Sequence, residues 1–140
     1  MAKYKSGKLS IGLVSKITGA SIRQIDYWTS LGLLKATDYP DHNGWRGYNF
    51  RDTLRVAVIV KLRAEGVSLS TIRAISKHLS REGDDLLHSG KLVAHSTKVY
   101  VRPSLDQAYD AVSGQTTFLF VDLGKLSPPI EEEFRKAGAV

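Results

Sequence analysis

The sequence predicts an α+β fold in two parts: four short helices with a small hairpin, then a small module of two strands, a helix, a strand and a helix. In the first part, apolar residues recur at helical spacing, and turn-forming residues interrupt them at 36–48. In the second part, short runs of alternating apolar residues are typical of strands. We therefore predict a domain at residues 1–81, a polar linker at 82–90 and a second module at 91–140.

Composition limits the class of protein. With 140 residues, 42% hydrophobic and 24% charged, the chain is typical of a globular protein. It has no cysteine, which excludes disulfides, thiolate metal sites and cysteine nucleophiles. The N-terminus lacks the apolar core of a signal peptide, and the longest apolar run, residues 56–60, is too short to cross a bilayer. We expect a cytoplasmic protein without a membrane segment.

Charge is distributed unevenly along the chain. Residues 1–81 hold 14 Lys and Arg against 5 Asp and Glu, whereas residues 82–140 hold 6 against 9. A basic first half suits an anionic partner, and nucleic acid is the commonest such partner for an intracellular protein.

The first two predicted helices are separated by a tight turn. Ser10 is a suitable N-cap for a helix that ends near residue 17, and Thr-Gly-Ala-Ser at 18–21 turns the chain. A second helix is predicted from Ser21 to Leu31, before a glycine. Two short helices joined by such a turn form the helix-turn-helix pattern, whose second helix enters the major groove of DNA. A plain helical hairpin is the alternative.

The second helix carries aromatic and basic side chains on different faces. At 100° per residue, Trp28 lies on the side of Ile25 and is expected to be buried. Arg23 and Tyr27, four residues apart, share the opposite face and are expected to point outward.

The rest of the first part predicts a loop or hairpin and two more helices. Turn formers at 36–48 indicate the loop or hairpin. The run from Phe50 to Ala64 contains the apolar Val-Ala-Val-Ile-Val segment, but its length without a breaker favours a helix over a strand. Ser68 or Ser70 would open the fourth helix.

The second part predicts a ββαβα order. Residues 92–95 and 98–102 indicate strands, Ser104 opens a helix through Val112, and residues 116–123 form the best strand pattern of the chain. A final helix is predicted at 130–138, after two prolines. A unit this small is expected to pack on the first part or on a second copy of itself.

The first part resembles the DNA-binding domain of the MerR family of bacterial transcription regulators. Three motifs carry the resemblance over residues 9–77, in the family's order and spacing: LSIGLVSKITGASIRQIDYWTSLGLLKA, GWRGYNFRDTLRV and KLRAEGVSLSTIRAI. The resemblance implies a winged helix-turn-helix, and hence a sequence-specific regulator of transcription whose partner is double-stranded DNA.

The resemblance also implies roles for individual residues. Arg23 and Gln24 would contact guanine and adenine in the major groove, and Tyr27 would contact a phosphate. In the wing, Arg46 would grip the DNA backbone beside the minor groove. The full expected DNA-binding set is Lys16, Ser21, Arg23, Gln24, Tyr27, Trp45, Arg46, Tyr48 and Arg63.

Two features depart from the family pattern. Asp26 stands where the family commonly has arginine, so it must orient Arg23, read a cytosine amino group or tilt away from DNA. The family usually continues from the fourth helix into a long dimerising helix, but residues 78–91 break such a helix here. We therefore predict a homodimer formed through residues 91–140, with RNA polymerase as a further candidate partner.

Other functional classes remain open at this stage. The same winged domain could serve an architectural DNA-binding protein, such as an excisionase or a partition factor, and the second module could belong to an antitoxin-like adaptor that binds another protein. No phosphate loop, nucleophile elbow or paired acid-base carboxylates indicate an enzyme. No cofactor is predicted, and no metal either, because His42, His78, His88 and His95 lack a suitably spaced third ligand.

Overall fold

The computed structural model of the chain describes residues 4–5, 7–39 and 44–137. It is a mixture of helix and sheet, in agreement with the predicted α+β class. The first part contains strands Tyr4–Lys5 (β1), Lys8–Ser10 (β2), Thr37–Tyr39 (β3) and Trp45–Tyr48 (β4), and helices Ile11–Thr18 (α1), Ile22–Ser30 (α2), Phe50–Ala64 (α3) and Leu69–Leu79 (α4). Part of the predicted turn, including His42, lies outside the described residues.

Local chemistry sets the ends of the first two helices. The Ser10 hydroxyl accepts the Leu13 amide at 3.2 Å, as predicted for an N-cap. α2 opens with a reciprocal capping box between Ser21 and Gln24. It is followed by Gly32, whose φ of 78° is a left-handed conformation that costs glycine little. These caps fix where α2 starts and stops.

The four strands of the first part form one antiparallel sheet in the order β1-β2-β4-β3. β3 and β4 make a hairpin whose register places Asp38 opposite Arg46. At Gly47 a β carbon would lie 2.6 Å from the Trp45 ring, so a larger residue would displace the indole. Because β4 also pairs with β2, the hairpin is anchored to the segment that leads into α1.

The two long helices of the first part follow the predicted pattern. Val56–Val60 lies inside α3, and most of this helix is buried. Ser68, and not Ser70, caps α4 by accepting the Thr71 amide at 3.4 Å. α4 buries Ile72, Ile75 and Leu79 against the core.

The second part contains a helix, a three-stranded sheet and two further helices. Its elements are helix Asp84–Ser89 (α5), strands Lys91–His95 (β5), Lys98–Arg102 (β6) and Leu119–Asp122 (β7), and helices Leu105–Ala111 (α6) and Leu123–Lys136 (α7). The sheet has the order β6-β5-β7, and β5 pairs antiparallel with both neighbours. α6 packs on β5 and β6.

The predicted linker contains a helix. α5 occupies most of residues 82–90, and its Leu87 is fully buried. The two glycines of the predicted linker instead bound this helix, with Gly83 at its N-cap and Gly90 at its C-cap. At Gly90 a β carbon would lie 2.5 Å from the Leu86 carbonyl oxygen, so glycine permits the close turn into β5. The separation of residues 1–81 and 91–140 into domains stays a prediction.

The final helix begins earlier than predicted. α7 starts at Leu123 and contains both Pro128 and Pro129. Its start is capped by Asp122, whose carboxylate accepts the Gly124 amide at 3.0 Å. The prolines suggested a helix boundary because they lack an amide hydrogen, but here they lie on the exposed side of the helix.

The two parts share one hydrophobic core. A continuous cluster of buried side chains runs from Leu9 in β2 to Phe134 in α7. α7 packs on α3, where the rings of Phe134 and Phe50 meet edge to face at 6.1 Å. The second part therefore packs on the first, which was one of the two arrangements expected.

Candidate nucleic-acid interface

The outward face of α2 carries the predicted basic and aromatic side chains. Ile25 is fully buried and Trp28 is 6% exposed, whereas Tyr27 is 59% exposed. Arg23 is exposed as well. The predicted orientation of this helix is confirmed, because Ile25 and Trp28 pack into the core and leave Arg23 and Tyr27 on the outside.

The hairpin brings a third cationic or aromatic group to this face. Arg46 in β4 places its Nη1 3.0 Å from Asp26 Oδ1 in α2. Its Nε lies 3.2 Å from Asp38 Oδ1 in β3. Asp26 thus pairs with Arg46 across two elements, and not with Arg23 as the sequence analysis considered. Partial burial disfavours the guanidinium charge, but hydrogen bonds to Tyr48 and Asp38 outweigh this effect and raise the pKa of Arg46.

Ser21 and Gln24 are engaged with each other. The Ser21 hydroxyl accepts the Gln24 amide at 3.0 Å, and the Gln24 side-chain oxygen accepts the Ser21 amide at 2.9 Å. A two-bond contact from Gln24 to adenine needs this oxygen as an acceptor. In the capping arrangement, Gln24 can offer DNA only its amide NH₂ group.

The two aromatic residues of the hairpin lie inside the protein. Trp45 is 2% exposed and Tyr48 is fully buried. The Tyr48 hydroxyl lies 3.2 Å from the Thr29 hydroxyl in α2, which ties the hairpin to the helix. Sequence reasoning placed both rings against DNA; their burial makes them supports that hold the hairpin, because a buried ring cannot stack on a partner.

Lys16 and Arg63 are exposed at the ends of other helices. Lys16 lies in the last turn of α1, and Arg63 lies in the last turn of α3. Within the part of the chain that the structure describes, neither side chain makes an ion pair that links it to α2 or to the hairpin. Arg23, Tyr27 and Arg46, which lie on α2 and the hairpin, form the face that we call the α2 face.

A buried polar network in the first part was not predicted from the sequence. Arg55 and Asp52, both in α3, form an ion pair at 3.0 Å and are each 7% exposed at the side chain. Arg55 also lies 3.0 Å from the Ser76 hydroxyl, which donates to the Leu33 carbonyl at 2.6 Å. Asp52 accepts the Lys35 amide at 3.3 Å. The network fixes the segment between α2 and β3.

Burial governs the ionisation of this network. It raises the pKa of Asp52, against the opposing charge of Arg55, and it lowers the pKa of Arg55. The signal in the sequence was two opposite charges three residues apart on one helix, beside its apolar run at 56–60, which is the spacing of an intrahelical pair.

Neither a metal cluster nor a membrane span emerges from the described residues. No group of three His, Cys, Asp or Glu side chains there is placed to bind a metal ion. His88 is paired with Glu131 and stacks on Phe50 with the ring centres 3.9 Å apart. In the same residues, every helix is too short or too polar to cross a bilayer.

Comparison with known proteins places the chain in a family. Residues 9–79 match the family described as MerR HTH family regulatory protein. Over 71% of its length the chain is 32% identical to an HTH-type transcriptional regulator of Mycobacterium tuberculosis, of which it covers 45%. Over 49% of its length it is 40% identical to the HTH-type transcriptional regulator TnrA of Bacillus subtilis, of which it covers 62%.

The chain spans about half the length of the mycobacterial relative. That match covers more of the chain than the family match does, so the similarity continues past residue 79 into the second part. The family match itself covers just over half of the chain and includes both α2 and the hairpin. The chain belongs to the MerR HTH family of regulatory proteins.

Proposed function

We propose that this protein is a sequence-specific, double-stranded DNA-binding regulator of transcription. In this proposal α2 enters the major groove, and the β3–β4 hairpin is the wing that contacts the backbone beside the minor groove. The observation that carries it is the α2 face: Arg23 and Tyr27 are exposed on the helix, and the ion pair of Arg46 with Asp26 brings the hairpin arginine next to them.

The chemistry of the α2 face suits a DNA groove. A guanidinium can donate two parallel hydrogen bonds to guanine, and Arg23 lies in the first turn of α2, the end that reads bases in this type of helix. The Tyr27 hydroxyl and the Arg46 guanidinium can donate to phosphate oxygens, which position a protein without selecting a sequence. Lys16 and Arg63 add cationic groups for further backbone contacts.

The other four predicted DNA-contacting residues on α2 and the hairpin are engaged or buried within the protein. Ser21 and Gln24 cap α2, so their main contribution is to fix the N-terminus of the reading helix. Trp45 and Tyr48 contribute by holding the wing in place from inside. The residues that we propose to contact DNA are therefore Arg23, Tyr27 and Arg46. Lys16 and Arg63 supply further contacts to the DNA backbone.

We also propose that two copies pair through the second part. α4 ends at Leu79 and α5 is only six residues long, so no long helix is present there to form the family's usual dimer. β7 pairs with β5 on one side, and no strand within the described residues pairs with its other side. Phe118 and Phe120, 39% and 42% exposed, lie at this edge. An edge strand with exposed apolar neighbours favours pairing with another copy.

A groove beside β7 supports the same arrangement. It has a volume of about 590 Å³ and is lined by all four residues of β7 together with the end of α3 and the start of α7. A second β7 could enter this groove and extend the sheet across a two-fold axis. The protein would then act in the cytoplasm as a homodimer without catalytic activity, and regulation would proceed through DNA occupancy or contact with RNA polymerase.

Selection from a random duplex library tests the proposed function. The full chain is incubated with the library, and bound duplexes are recovered and sequenced over several rounds. We expect enrichment of one motif with two-fold symmetry, because symmetry of the half-sites mirrors symmetry of the protein. Recovery of duplexes without any common motif would contradict sequence-specific binding.

A further inference from the structure

The Arg46 guanidinium lies between carboxylates from two different elements. Asp26 is on α2 and Asp38 is on β3, at 3.0 Å and 3.2 Å from the Arg46 nitrogens. The side chain of Arg46 is 35% exposed, and those of Asp26 and Asp38 are 56% and 70% exposed. The three residues form a bridge on the protein surface, which we call the Arg46 bridge.

The position of the Arg46 bridge relates it to the α2 face. Asp38 is directly opposite Arg46 in the hairpin register, so this contact orients the arginine along the hairpin. Asp26 precedes Tyr27 and lies three residues after Arg23, within the helix that carries the face. The bridge therefore joins the hairpin to α2 at the surface, in addition to the part-buried contact between Tyr48 and Thr29.

The donors of a guanidinium allow it to bridge and to bind at the same time. Arg46 has five N–H groups; the bonds to Asp26 and Asp38 use two of them and the contact with Tyr48 uses a third, which leaves two. A phosphate oxygen can accept from those that remain. In return, the positive charge of Arg46 offsets one of the two negative charges of Asp26 and Asp38, and so weakens their repulsion of the DNA backbone.

We propose that Asp26 is a positioning residue for DNA binding. Together with Asp38 it holds Arg46 between the reading helix and the wing, so that the guanidinium meets a phosphate without first being ordered. Asp26 acts on DNA only through Arg46 and makes no base contact of its own. This inference rests on the proposed function and explains why an acidic residue is compatible with a helix that enters a groove.

A double-mutant cycle tests the role of Asp26. The proteins are the wild type, Asp26→Ala, Arg46→Ala and the double variant, and their dissociation constants for the selected duplex are measured by fluorescence anisotropy at one salt concentration. We expect Asp26→Ala to weaken binding about two- to fivefold in the wild-type background, the range of an exposed charge pair. In the Arg46→Ala background, the same change should cause no loss, because only a repulsive charge is removed.

Matched variants separate positioning from net charge. Asp110→Ala removes an exposed carboxylate from α6, outside the α2 face, and should leave the dissociation constant within twofold of wild type. Asp26→Asn keeps the shape of the side chain but not its charge, and should give a smaller loss than Asp26→Ala. NMR of the free protein adds a readout without DNA: the Arg46 Nη1 protons, which lose their acceptor, should exchange faster with water in Asp26→Ala than in wild type.

The outcomes separate this inference from the proposed function. A wild-type protein that bound no duplex would refute the proposed function at the first measurement. If the wild type binds DNA and Asp26→Ala changes affinity equally with and without Arg46, or changes it in neither background, the proposed role of Asp26 is wrong. The proposed function would still stand. A loss confined to the background that retains Arg46, with faster exchange of the Arg46 Nη1 protons, is the result that we expect.

Discussion

The α2 face and the β7 edge of the β5–β6–β7 sheet both lie at the protein surface, yet their chemistry is opposite. On the α2 face, the exposed groups are Arg23, Tyr27 and an arginine held by two carboxylates. On the sheet, α6 covers β5 and β6 and leaves a cavity of about 450 Å³ beside β7, lined largely by Tyr109, Phe118 and Phe120. A charged and ordered face suits a charged polymer, whereas an apolar face suits another protein surface.

This difference means that the two proposed interfaces can be disrupted separately. The core joins the two parts, so a change in the core should affect both surfaces, and a change on one surface should leave the other intact.

The largest expected effect comes from the edge of β7. Phe120→Lys places a charge at the proposed dimer interface, where it would have to lose its hydration. We expect light scattering to show a monomer, and affinity for a duplex with two half-sites to fall by about 10² to 10⁴ as the effective concentration of the second domain is lost. Affinity for a single half-site should not change.

Leu69→Lys is the matched control for this change. Leu69 is 41% exposed, about as much as Phe120, but it lies at the start of α4 in the first part. This variant should remain a dimer. A Phe120→Lys protein that stayed dimeric would remove the basis for pairing through β7.

The next effect concerns the core that joins the two parts. Phe134 is 4% exposed and its ring contacts Phe50, so Phe134→Ala should lower the free energy of unfolding by about 3 to 5 kcal/mol. Urea denaturation monitored by circular dichroism measures this loss. Leu69→Ala removes a side chain that is 41% exposed and lies outside the proposed dimer interface, so it should cost far less. Equal losses in the free energy of unfolding would mean that Phe134 of α7 contributes no more to the core than a partly exposed side chain does.

Arg23→Ala tests the base-reading role on the α2 face. The loss of a two-bond contact to a base should weaken binding to the selected site by about 1 to 3 kcal/mol and relax preference at one base pair. Tyr27→Phe removes only a hydroxyl that is expected to meet phosphate, so it should weaken all duplexes alike. Titrations against the selected site and its single-base variants distinguish the two patterns.

The smallest effect is a change in salt dependence. Arg46→Ala should reduce the slope of log K against log salt concentration by about 0.9 per protomer, because one phosphate contact disappears. The thermal midpoint should change little, because the Arg46 bridge is exposed and such pairs contribute little to stability. An unchanged slope would indicate that Arg46 contacts no phosphate.

The features that the sequence predicted correctly depend on local chemistry. Ser10 and Ser104 cap helices through amides three residues ahead, and Trp28 is buried because the helical period places it beside Ile25. Such relations span one or two turns, so they can be found in a single sequence.

The features that the sequence did not predict depend on distant residues. Arg46 meets Asp26 across 20 positions, and this contact exists only once the hairpin has folded against α2. Trp45 and Tyr48 resemble exposed wing aromatics in the sequence, but both are buried in the folded protein. Tyr48 pairs with Leu9 of β2, and its hydroxyl contacts Thr29 of α2. α5 was missed because its glycines bound a helix whose stability comes from packing on α7.

The most direct test of the α2 face is an NMR titration of the full chain with the selected duplex. The proposal predicts that the Nε signals of Arg23 and Arg46 and the amide signals of α2 shift on binding, while the signals of Phe118 and Phe120 stay in place. Shifts confined to the sheet of the second part, with the Arg23 and Arg46 signals unchanged, would contradict the assignment of DNA binding to the α2 face.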